Sequence, residues 1–422
     1  MFRQADSISQ ETAALEQRTT KLLKRPSLHF TGAGWTYVGM MLFMGIAAIN
    51  TQANLLFAVF GLMIGVLLIS GVISRLVIRR LTLDRSLPDH ACVGDSITVG
   101  YQITNSKRFW PSLSVVLAEL DGVEAFTKQP QTFLLHAAPT MTATVPTLLI
   151  PKRRGLHKLD RYQLITSFPF GFVKRAITGR KTDMLLIYPP IAAVSRRLLE
   201  MCQSADTSGE VSHPQPGGAD EFYGVREYRA GDNPRLIYWK RSAKSGTLIS
   251  REMTRVSPPR VVLLVDTLVT SRTLEAHAMV ERCIAMAASL AASALDQGLS
   301  VGLCVWSGKW HTVRPTRGKR HKSDLLSLLA QLSLNDSQPA EALMAHARPL
   351  LAGGATAIVF TPHEPQGTSP NFSRGHLLTI GANSSRAQTW FKFEEKTDFM
   401  TAMPPDQTPA YINRAASRGR LT

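Results

Sequence analysis

The chain has 422 residues, of which 44% are hydrophobic and 19% charged, and its formal net charge is +17 with a pI near 10.0. This length allows two or more folded domains, and the apolar content argues against a chain that is disordered throughout. The charge predicts attraction to nucleic acid, anionic lipid or an acidic protein. Four scattered cysteines without a C-x-x-C pair are typical of a reducing compartment rather than a disulfide or zinc framework.

Two apolar segments near the N-terminus are predicted to cross a membrane. Ala33–Ile49 carries no charge, and after the polar turn Asn50–Asn54 a second apolar segment runs from Leu55 to Ile78. About 20 apolar residues cross the hydrocarbon of a bilayer. We therefore expect a two-helix transmembrane hairpin over residues 33–78, and a pair of buried core helices is the weaker alternative.

The positive charges that flank the two segments predict their orientation. Lys and Arg precede the first segment and follow the second, at Arg18, Lys21, Lys24, Arg25, Arg79, Arg80 and Arg85. The turn between the segments carries no charge, and cytoplasmic loops of membrane proteins are enriched in Lys and Arg. We therefore expect a membrane protein with a cytoplasmic tail over residues 1–32, and with both termini and the soluble domains in the cytoplasm.

Residues 84–190 predict a β-sandwich domain. Short segments of alternating polarity are separated by turn residues, and they comprise Ile97–Ile103, Leu113–Leu117, Thr144–Leu149, Gln163–Thr166 and Met184–Tyr188. The basic cluster Lys152–Gly155 is interpreted as a solvated face. The alternative is a surface that rests on anionic headgroups, since this domain directly follows the second span.

Residues 258–394 predict an α/β domain with a doubly wound parallel sheet, after a linker over 191–257. Apolar runs predict the strands Arg260–Val265, Leu299–Trp306, Ala355–Phe360 and Leu377–Ile380. Helical periodicity predicts Thr273–Leu295, Ser323–Leu334 and Glu341–Leu351. Alternating strands and helices give parallel sheets with right-handed crossovers. His311 and His321 are placed in basic loops, and residues 395–422 are expected to form a flexible tail.

The segment Arg226–Lys244 interleaves cations, acids and aromatic residues, which is unusual for a loop or a strand. One interpretation is a brace between the two soluble domains, closed by internal Arg–carboxylate pairs, with Trp239 as a core anchor and Gly231 at a turn. The other is a docking surface for a protein or ligand, and we favour the brace slightly. The candidate residues are Arg226, Glu227, Tyr228, Arg229, Gly231, Asp232, Arg235, Trp239 and Lys240.

A series of short motifs in fixed order resembles the bacterial membrane proteins known as the domain of unknown function 58 family. The motifs are Ala53–Leu56, Val93–Asp95, Lys152–Gly155, Ser167–Phe172, Tyr188–Pro189, Arg226–Asp232, Arg235, Ile237, Trp239–Lys240, Ser242–Ala243 and Arg251–Glu252. The resemblance implies a von Willebrand factor A-like fold for the C-terminal domain. It also implies a MoxR-type AAA+ ATPase as a partner and, in some cases, transglutaminase-like membrane proteins.

The resemblance raises the question of a metal at the end of the first strand of this domain. Von Willebrand factor A-type domains often bind Mg²⁺ through Asp-x-Ser-x-Ser, and here the positions read Asp266-Thr-Leu-Val-Thr270. Asp266 and Thr270 can supply oxygen ligands, whereas Leu268 cannot. We therefore expect a degenerate site in which Asp266 caps the following turn. No cofactor is expected, and Mg²⁺ is the weaker alternative.

The sequence contains no G-x-S-x-G, H-E-x-x-H or G-x-x-x-x-G-K-[ST] motif. We therefore expect no enzyme. The leading hypothesis is a membrane-anchored scaffold or adaptor that recruits a protein partner, a MoxR-type ATPase, for envelope-related assembly or maturation. The alternative is an anionic-lipid or nucleic-acid binding protein that uses its basic cytoplasmic surface, and nucleic acid is the less favoured of these two ligands.

Overall fold

A computed structural model describes residues 27–204, 216–229, 232–254, 259–269, 271, 273–334, 340–351, 355–363, 377–394 and 397–399. The chain divides into two compact units, of which one comprises Met1–Pro190 with Lys396–Thr422 and the other comprises Ile191–Glu395. We call the part up to Pro190 the first unit and Ile191–Glu395 the second unit. Most of the two predicted tails lies outside the described residues, as do the flanking cations before residue 27.

The first unit begins with a short strand and two long apolar helices. Strand β1 is Ser27–Phe30, helix α1 is Gly32–Thr51 and helix α2 is Asn54–Ile78. Both helices are long and apolar enough to span a membrane, and only 17% and 6% of their apolar windows are buried within the protein. They pack on each other where Gly45 meets the ring of Phe60. The prediction of apolar helices near the N-terminus that suit membrane anchoring is confirmed.

Eight further strands complete the first unit: β2 Leu81–Ser86, β3 His90–Cys92, β4 Ile97–Asn105, β5 Ser112–Glu119, β6 Gln131–Ala137, β7 Thr142–Leu149, β8 Gly155–Thr166 and β9 Val173–Tyr188. One sheet has the order β2-β4-β7, and the other has the order β1-β9-β8-β5-β6 with β3 also paired to β9. Both sheets contribute to one apolar core, which includes Leu83, Tyr101, Val115, Leu164 and Leu185. All pairings are antiparallel except β3 with β9.

A buried ionic group links the two sheets. Arg85 on β2 donates from Nε and Nη2 to the carboxylate of Glu119 on β5, at 2.8 and 2.9 Å. Its Nη1 donates to Asp183 on β9 at 2.7 Å. The side chains of Arg85 and Glu119 are both fully buried. Burial raises the pKa of Glu119 in spite of the neighbouring guanidinium, so this group depends on its bidentate partner to remain charged.

The basic cluster Lys152–Gly155 does not form the solvated face that the sequence predicted. Arg153 is 6% exposed and Arg154 is fully buried. The Nη1 of Arg153 lies 3.0 Å from Oε2 of Glu124, and burial lowers the pKa of Arg153. A headgroup-facing role for these two arginines is excluded for the same reason. They are internal residues of the first unit at the entry to β8.

Two contacts attach the apolar helices to the sheets. Lys107 is buried, and its ammonium donates to the carbonyls of Leu76 and Val77 at the end of α2 and to the hydroxyl of Ser112. The lysine therefore satisfies carbonyls that a helix end leaves without partners. At the start of α1, the ring of Tyr37 stacks on Phe172 at 4.2 Å. The motif that contains Phe172 is thus a helix contact between β8 and β9.

The second unit contains strands and helices in alternation. In chain order they are β10 Ala193–Val194, α3 Arg196–Ser204, β11 Pro216–Glu227, α4 Trp239–Ser245, β12 Ile249–Thr254, β13 Arg260–Val265, α5 Leu274–Asp296, β14 Ser300–Trp306, β15 Trp310–Thr316, α6 Lys319–Ala330, α7 Ala340–Leu351, β16 Thr356–Thr361, β17 Leu377–Gly381, α8 Ser385–Trp390 and β18 Phe391–Lys392. The predicted linker over 191–257 therefore carries two helices and three strands of this unit among its described residues.

A five-stranded sheet of order β15-β14-β13-β16-β17 forms the core of the second unit. Its strands run parallel except β15, which is antiparallel to β14. Helix α7 packs on the face that carries Val262 and Leu264, while α5 covers the other face of the sheet. The order reverses direction at β13, so the crevice between the ends of β13 and β16 is the topological switch point of the sheet.

Two differences from the predicted elements concern the far edge of this sheet. His311 lies in strand β15, which was predicted as a basic loop. His321 lies in α6, and its Nε2 is 2.7 Å from the carbonyl of Val301. Helix α6 begins at Lys319 and ends at Ala330, four residues earlier at each end than predicted. Both histidines therefore belong to regular elements that pack against β14.

Helix α5 is a third segment that is long and apolar enough to span a membrane. In this case 78% of the apolar window is buried within the protein. It contacts β13, β14, β16 and α6, and Cys283 and Leu290 on it are fully buried. Its apolar character is accounted for by the core of the second unit.

Candidate docking surface and strand-edge site

The segment Arg226–Lys244 folds on a two-stranded ribbon. Strands β11 and β12 are antiparallel, with Arg226 opposite Ser250 and Glu227 opposite Ile249. The connection between them turns back on the ribbon through two backbone hydrogen bonds of 2.8 Å, from Tyr228 N to the carbonyl of Leu248 and from Tyr238 N to that of Ile249. The described part of the segment is thus an ordered loop and helix rather than an open linker.

Asp232 holds the first half of this loop together. Its Oδ1 accepts from Nη2 of Arg226 at 2.8 Å, and its Oδ2 accepts from the backbone N–H of Arg229 at 2.9 Å. The hydroxyl of Tyr228 donates to the carbonyl of Asp232 at 3.1 Å. The hydrogen bond from Arg226 lowers the pKa of Asp232. The internal Arg–carboxylate pair that the sequence suggested is present here, whereas Gly231 lies outside the described residues.

Ser242 and Arg251 hold the second half. The hydroxyl of Ser242 donates to the carbonyl of Tyr238 and accepts from the N–H of Ile249 at 2.8 Å, which ties α4 to β12. The guanidinium of Arg251 lies 4.5 Å from the centre of the Tyr238 ring, within the range of a cation–π contact. Sequence reasoning assigned no role to Ser242 or Arg251. Their place in the motifs Ser242–Ala243 and Arg251–Glu252 was the signal in the sequence for both residues.

Trp239 is not a core anchor, because 66% of its surface is exposed. It begins helix α4, and cationic side chains of the same segment are also exposed. We define the signature surface as Arg229, Arg235, Trp239, Lys240, Arg241, Lys244 and Leu248, all of which are exposed. Glu227 is exposed as well. An indole and several cations presented from a braced loop fit the docking interpretation better than a purely internal brace.

The second candidate site lies at the switch point of the sheet. Asp266 follows β13 and is 4% exposed. Its Oδ1 accepts from the N–H of Leu268 at 3.0 Å, and its Oδ2 accepts from the hydroxyl of Thr361 at 3.2 Å. Burial raises the pKa of Asp266. The first of these hydrogen bonds is the turn-capping contact that the sequence interpretation assigned to Asp266.

The described residues do not supply a ligand set for Mg²⁺ at this position. The hydroxyl of Thr267 donates to the carbonyl of Trp306 at 2.9 Å, and Thr270 lies outside the described residues. No group of three or more His, Cys, Asp or Glu that could hold a metal occurs in the described part of the chain. One buried carboxylate with protein hydrogen bonds on both oxygens is a poor match for the several oxygen ligands that Mg²⁺ requires.

Comparison with known proteins bears on the region that contains both sites. Residues 224–367 match the family described as "Protein of unknown function DUF58". The chain is also similar to the "Uncharacterized protein YeaD" of Bacillus subtilis (strain 168), with 24% identity over 201 residues that cover 47% of this chain and 48% of that protein. The match therefore spans about half the length of this curated relative. The resemblance to this family is confirmed over residues 224–367.

Proposed function

We propose that the protein is a non-enzymatic adaptor anchored in the bacterial inner membrane, whose second unit recruits a protein partner through the signature surface. The observation that carries this proposal is the 66% exposure of Trp239 on a loop that Asp232, Ser242 and Arg251 hold in place. Large exposed aromatic residues on a rigid support are typical of interaction sites.

The chemistry of the signature surface favours an acidic protein surface as the partner. Trp and Arg are the residues most enriched among binding hot spots. Exposed cations around the indole steer an anionic partner and fix its register. Arg226 is less available for such a role, because its guanidinium already donates to Asp232. The exposed cations Arg235, Lys240 and Arg241 are the ones we expect to contact the partner.

The fold of the second unit supports a recruiting role. A parallel sheet with one antiparallel edge strand and a switch point at β13 resembles the von Willebrand factor A-like arrangement that the family implies. In open α/β sheets, ligands bind at the carboxyl ends of the strands near the switch point. From the family resemblance, the expected partner is a MoxR-type AAA+ ATPase, and the process is envelope-related assembly or maturation. A transglutaminase-like membrane protein is the second expected partner.

The charges beside α2 support the proposed orientation. Arg75 lies in the last turn of α2, and Arg79 and Arg80 follow directly. The connection between α1 and α2 has no charged residue. By the positive-inside rule, the ends of α1 and α2 that adjoin the sheets lie on the cytoplasmic side. The signature surface would then face cytoplasmic ATPases.

The test is affinity capture of the full-length chain from solubilised membranes, with captured proteins identified by mass spectrometry. We expect a MoxR-type ATPase with the unaltered chain and a loss of about 30-fold with Trp239→Ala, the effect of a typical hot-spot residue. Trp110→Ala is the matched control, because Trp110 is 54% exposed but belongs to the first unit. Equal capture by the two variants, or capture without any ATPase, would contradict the proposal.

A further inference from the structure

Two arginines of the first unit lie near the junction between its sheets and its apolar helices. Arg75 is in the last turn of α2. Arg175 is on β9 and is paired in register with Leu28 of β1. Leu28 is four residues before Gly32, where α1 begins. Because α1 starts and α2 ends at the same end of the hairpin, both arginines lie at that end.

The length of α2 places these arginines at the level of lipid headgroups. A helix rises 1.5 Å per residue, so a span that begins at Asn54 crosses about 30 Å of hydrocarbon in about 20 residues, close to Arg75. The exposed Trp35 near the start of α1 fits the same level, because Trp is enriched at membrane interfaces. Phe30, also exposed, lies 5.7 Å from Trp35 between ring centres.

The environment of Arg175 contains a donor without an acceptor. Its Nε is buried and has no hydrogen-bond partner among the described residues. Burial lowers the pKa of Arg175, and repulsion from Arg75 lowers it further. Helix α2, which carries Arg75, and strand β9, which carries Arg175, are in contact with each other. An anion between the two arginines would remove the repulsion and accept from N–H groups of both guanidiniums.

The acids in the described residues up to Pro190 do not supply this anion. Between residues 27 and 190 the sequence has eight Asp and Glu residues. Six of them are in salt bridges with other cations, and these are Asp84, Glu119, Asp121, Glu124, Asp160 and Asp183. Neither Arg75 nor Arg175 is in a salt bridge with any acid in the described ranges. Among the described residues, the site thus has two cations, a donor without an acceptor and no counter-ion.

We propose that Arg75 and Arg175 together bind the phosphate of an anionic phospholipid in the cytoplasmic leaflet. The inference rests on the membrane placement proposed above and adds a specific lipid site to it. Guanidinium groups are suited to phosphate because their planar N–H pairs match its oxygens. Anionic lipids are abundant on the cytoplasmic side of membranes and attract cations at this depth. The bound lipid would fix α2 and β9 against the bilayer surface.

The test uses the full-length chain in nanodiscs of phosphatidylcholine with a minor fraction of phosphatidylglycerol. After transfer to mild detergent, retained lipids are identified by native mass spectrometry. We expect preferential retention of one phosphatidylglycerol per chain, and a loss of preference of about tenfold for Arg75→Gln and for Arg175→Gln. Arg175→Lys keeps the charge and should retain part of the preference. Lys128→Gln is the control, because Lys128 is an exposed cation elsewhere in the first unit.

Several outcomes would overturn the site, and they are distinguishable from failure of the adaptor function. Equal retention of the two lipids, or no difference between Arg175→Gln and Lys128→Gln, would refute it. Displacement of the lipid by inorganic phosphate would assign the pair to a small anion instead. Flotation of the same samples with vesicles reports membrane anchoring separately, and a chain that does not float would refute both the membrane placement and this site. Loss of ATPase capture alone would leave the lipid site standing.

Discussion

Each unit of the protein contains an arginine paired with carboxylates, and the two pairs differ in burial. In the first unit, the Arg85 and Glu119 side chains are fully buried between two sheets. In the second unit, the Arg226 and Asp232 side chains are 35% and 20% exposed on a surface loop. Similar hydrogen-bond lengths therefore have different consequences, because water screens the second pair and not the first.

The comparison distinguishes an ion pair that stabilises the fold from one that shapes a binding surface. Removal of one partner from a buried ion pair leaves an uncompensated charge in a medium of low polarity, which is strongly destabilising. Removal of one partner from an exposed pair costs little free energy of unfolding. We infer that the Arg85 group stabilises the first unit, whereas the Arg226 pair sets the shape of the signature surface.

The largest expected effect follows from Glu119→Gln. Among the described residues, the substitution leaves the buried Arg85 with Asp183 as its one charged partner, and we expect the free energy of unfolding to fall by about 3 kcal/mol. Urea unfolding of the full-length chain in detergent would measure the change. Asp121→Asn is the matched control, because Asp121 pairs with Arg161 at the surface, and about 1 kcal/mol or less is expected there. If Asp121→Asn lowered the free energy of unfolding as much as Glu119→Gln does, the difference between buried and exposed pairs would be contradicted.

An intermediate effect is expected for Lys107→Met, which removes a buried cation that has only neutral partners. The carbonyls of Leu76 and Val77 lose a donor, so the free energy of unfolding should fall by about 2 kcal/mol. Burial lowers the pKa of Lys107 from 10.5 to about 8. Between these two values the unfolded chain binds the extra proton, so the contribution of this group to stability rises as the pH rises.

Thermal unfolding of both proteins over that pH interval measures the second part of this prediction. The unaltered chain should gain stability relative to Lys107→Met between pH 8 and 10.5. Lys128→Met serves as the control, since Lys128 is exposed in the same unit. Parallel pH curves for the unaltered chain and Lys107→Met would show that the lysine titrates normally and is not held in a buried site.

The smallest effect on stability is expected for Asp232→Ala. The change should lower the free energy of unfolding only slightly, because the pair with Arg226 is exposed to water. Partner capture should nevertheless fall several-fold, since the N–H of Arg229 and the guanidinium of Arg226 lose their common acceptor. Asp296→Ala removes another surface pair, with Lys322, and should leave capture unchanged. Loss of capture in both variants would show a general effect of charge.

The strands of the second unit that were predicted correctly are those with continuous apolar runs. Arg260–Val265 and Thr356–Thr361 are buried almost throughout, and a buried parallel strand needs no polar face. Strand β15, Trp310–Thr316, was missed because its side chains include His, Arg and Pro and are only partly buried. An edge strand takes its structure from the neighbour it pairs with, and that pairing is not visible in its own composition.

Residue type misled the predictions in both directions. Trp239 was expected inside and is exposed, while Arg154 was expected outside and is fully buried. Hydropathy describes the preference of a side chain, but partners decide its place: Arg153 pairs with Glu124, which lies 29 residues away in the chain. Such pairs form only when the sheets have brought distant segments together. The segment that carries the signature surface could therefore be located from the sequence. Which of its side chains are buried and which are exposed could not.

The burial of α5 has a consequence for synthesis of the protein. The helix has the length and apolarity of a membrane span, yet two of the strands that cover it, β14 and β16, follow it in the chain. During translation α5 emerges before these covering strands exist and, on the membrane placement proposed above, after α1 and α2 have entered the bilayer. The helix carries two buried polar side chains, Glu281 and His277, and these make insertion into lipid more costly. On that placement, we expect these two polar residues to disfavour insertion of α5 into the bilayer before the sheet covers it.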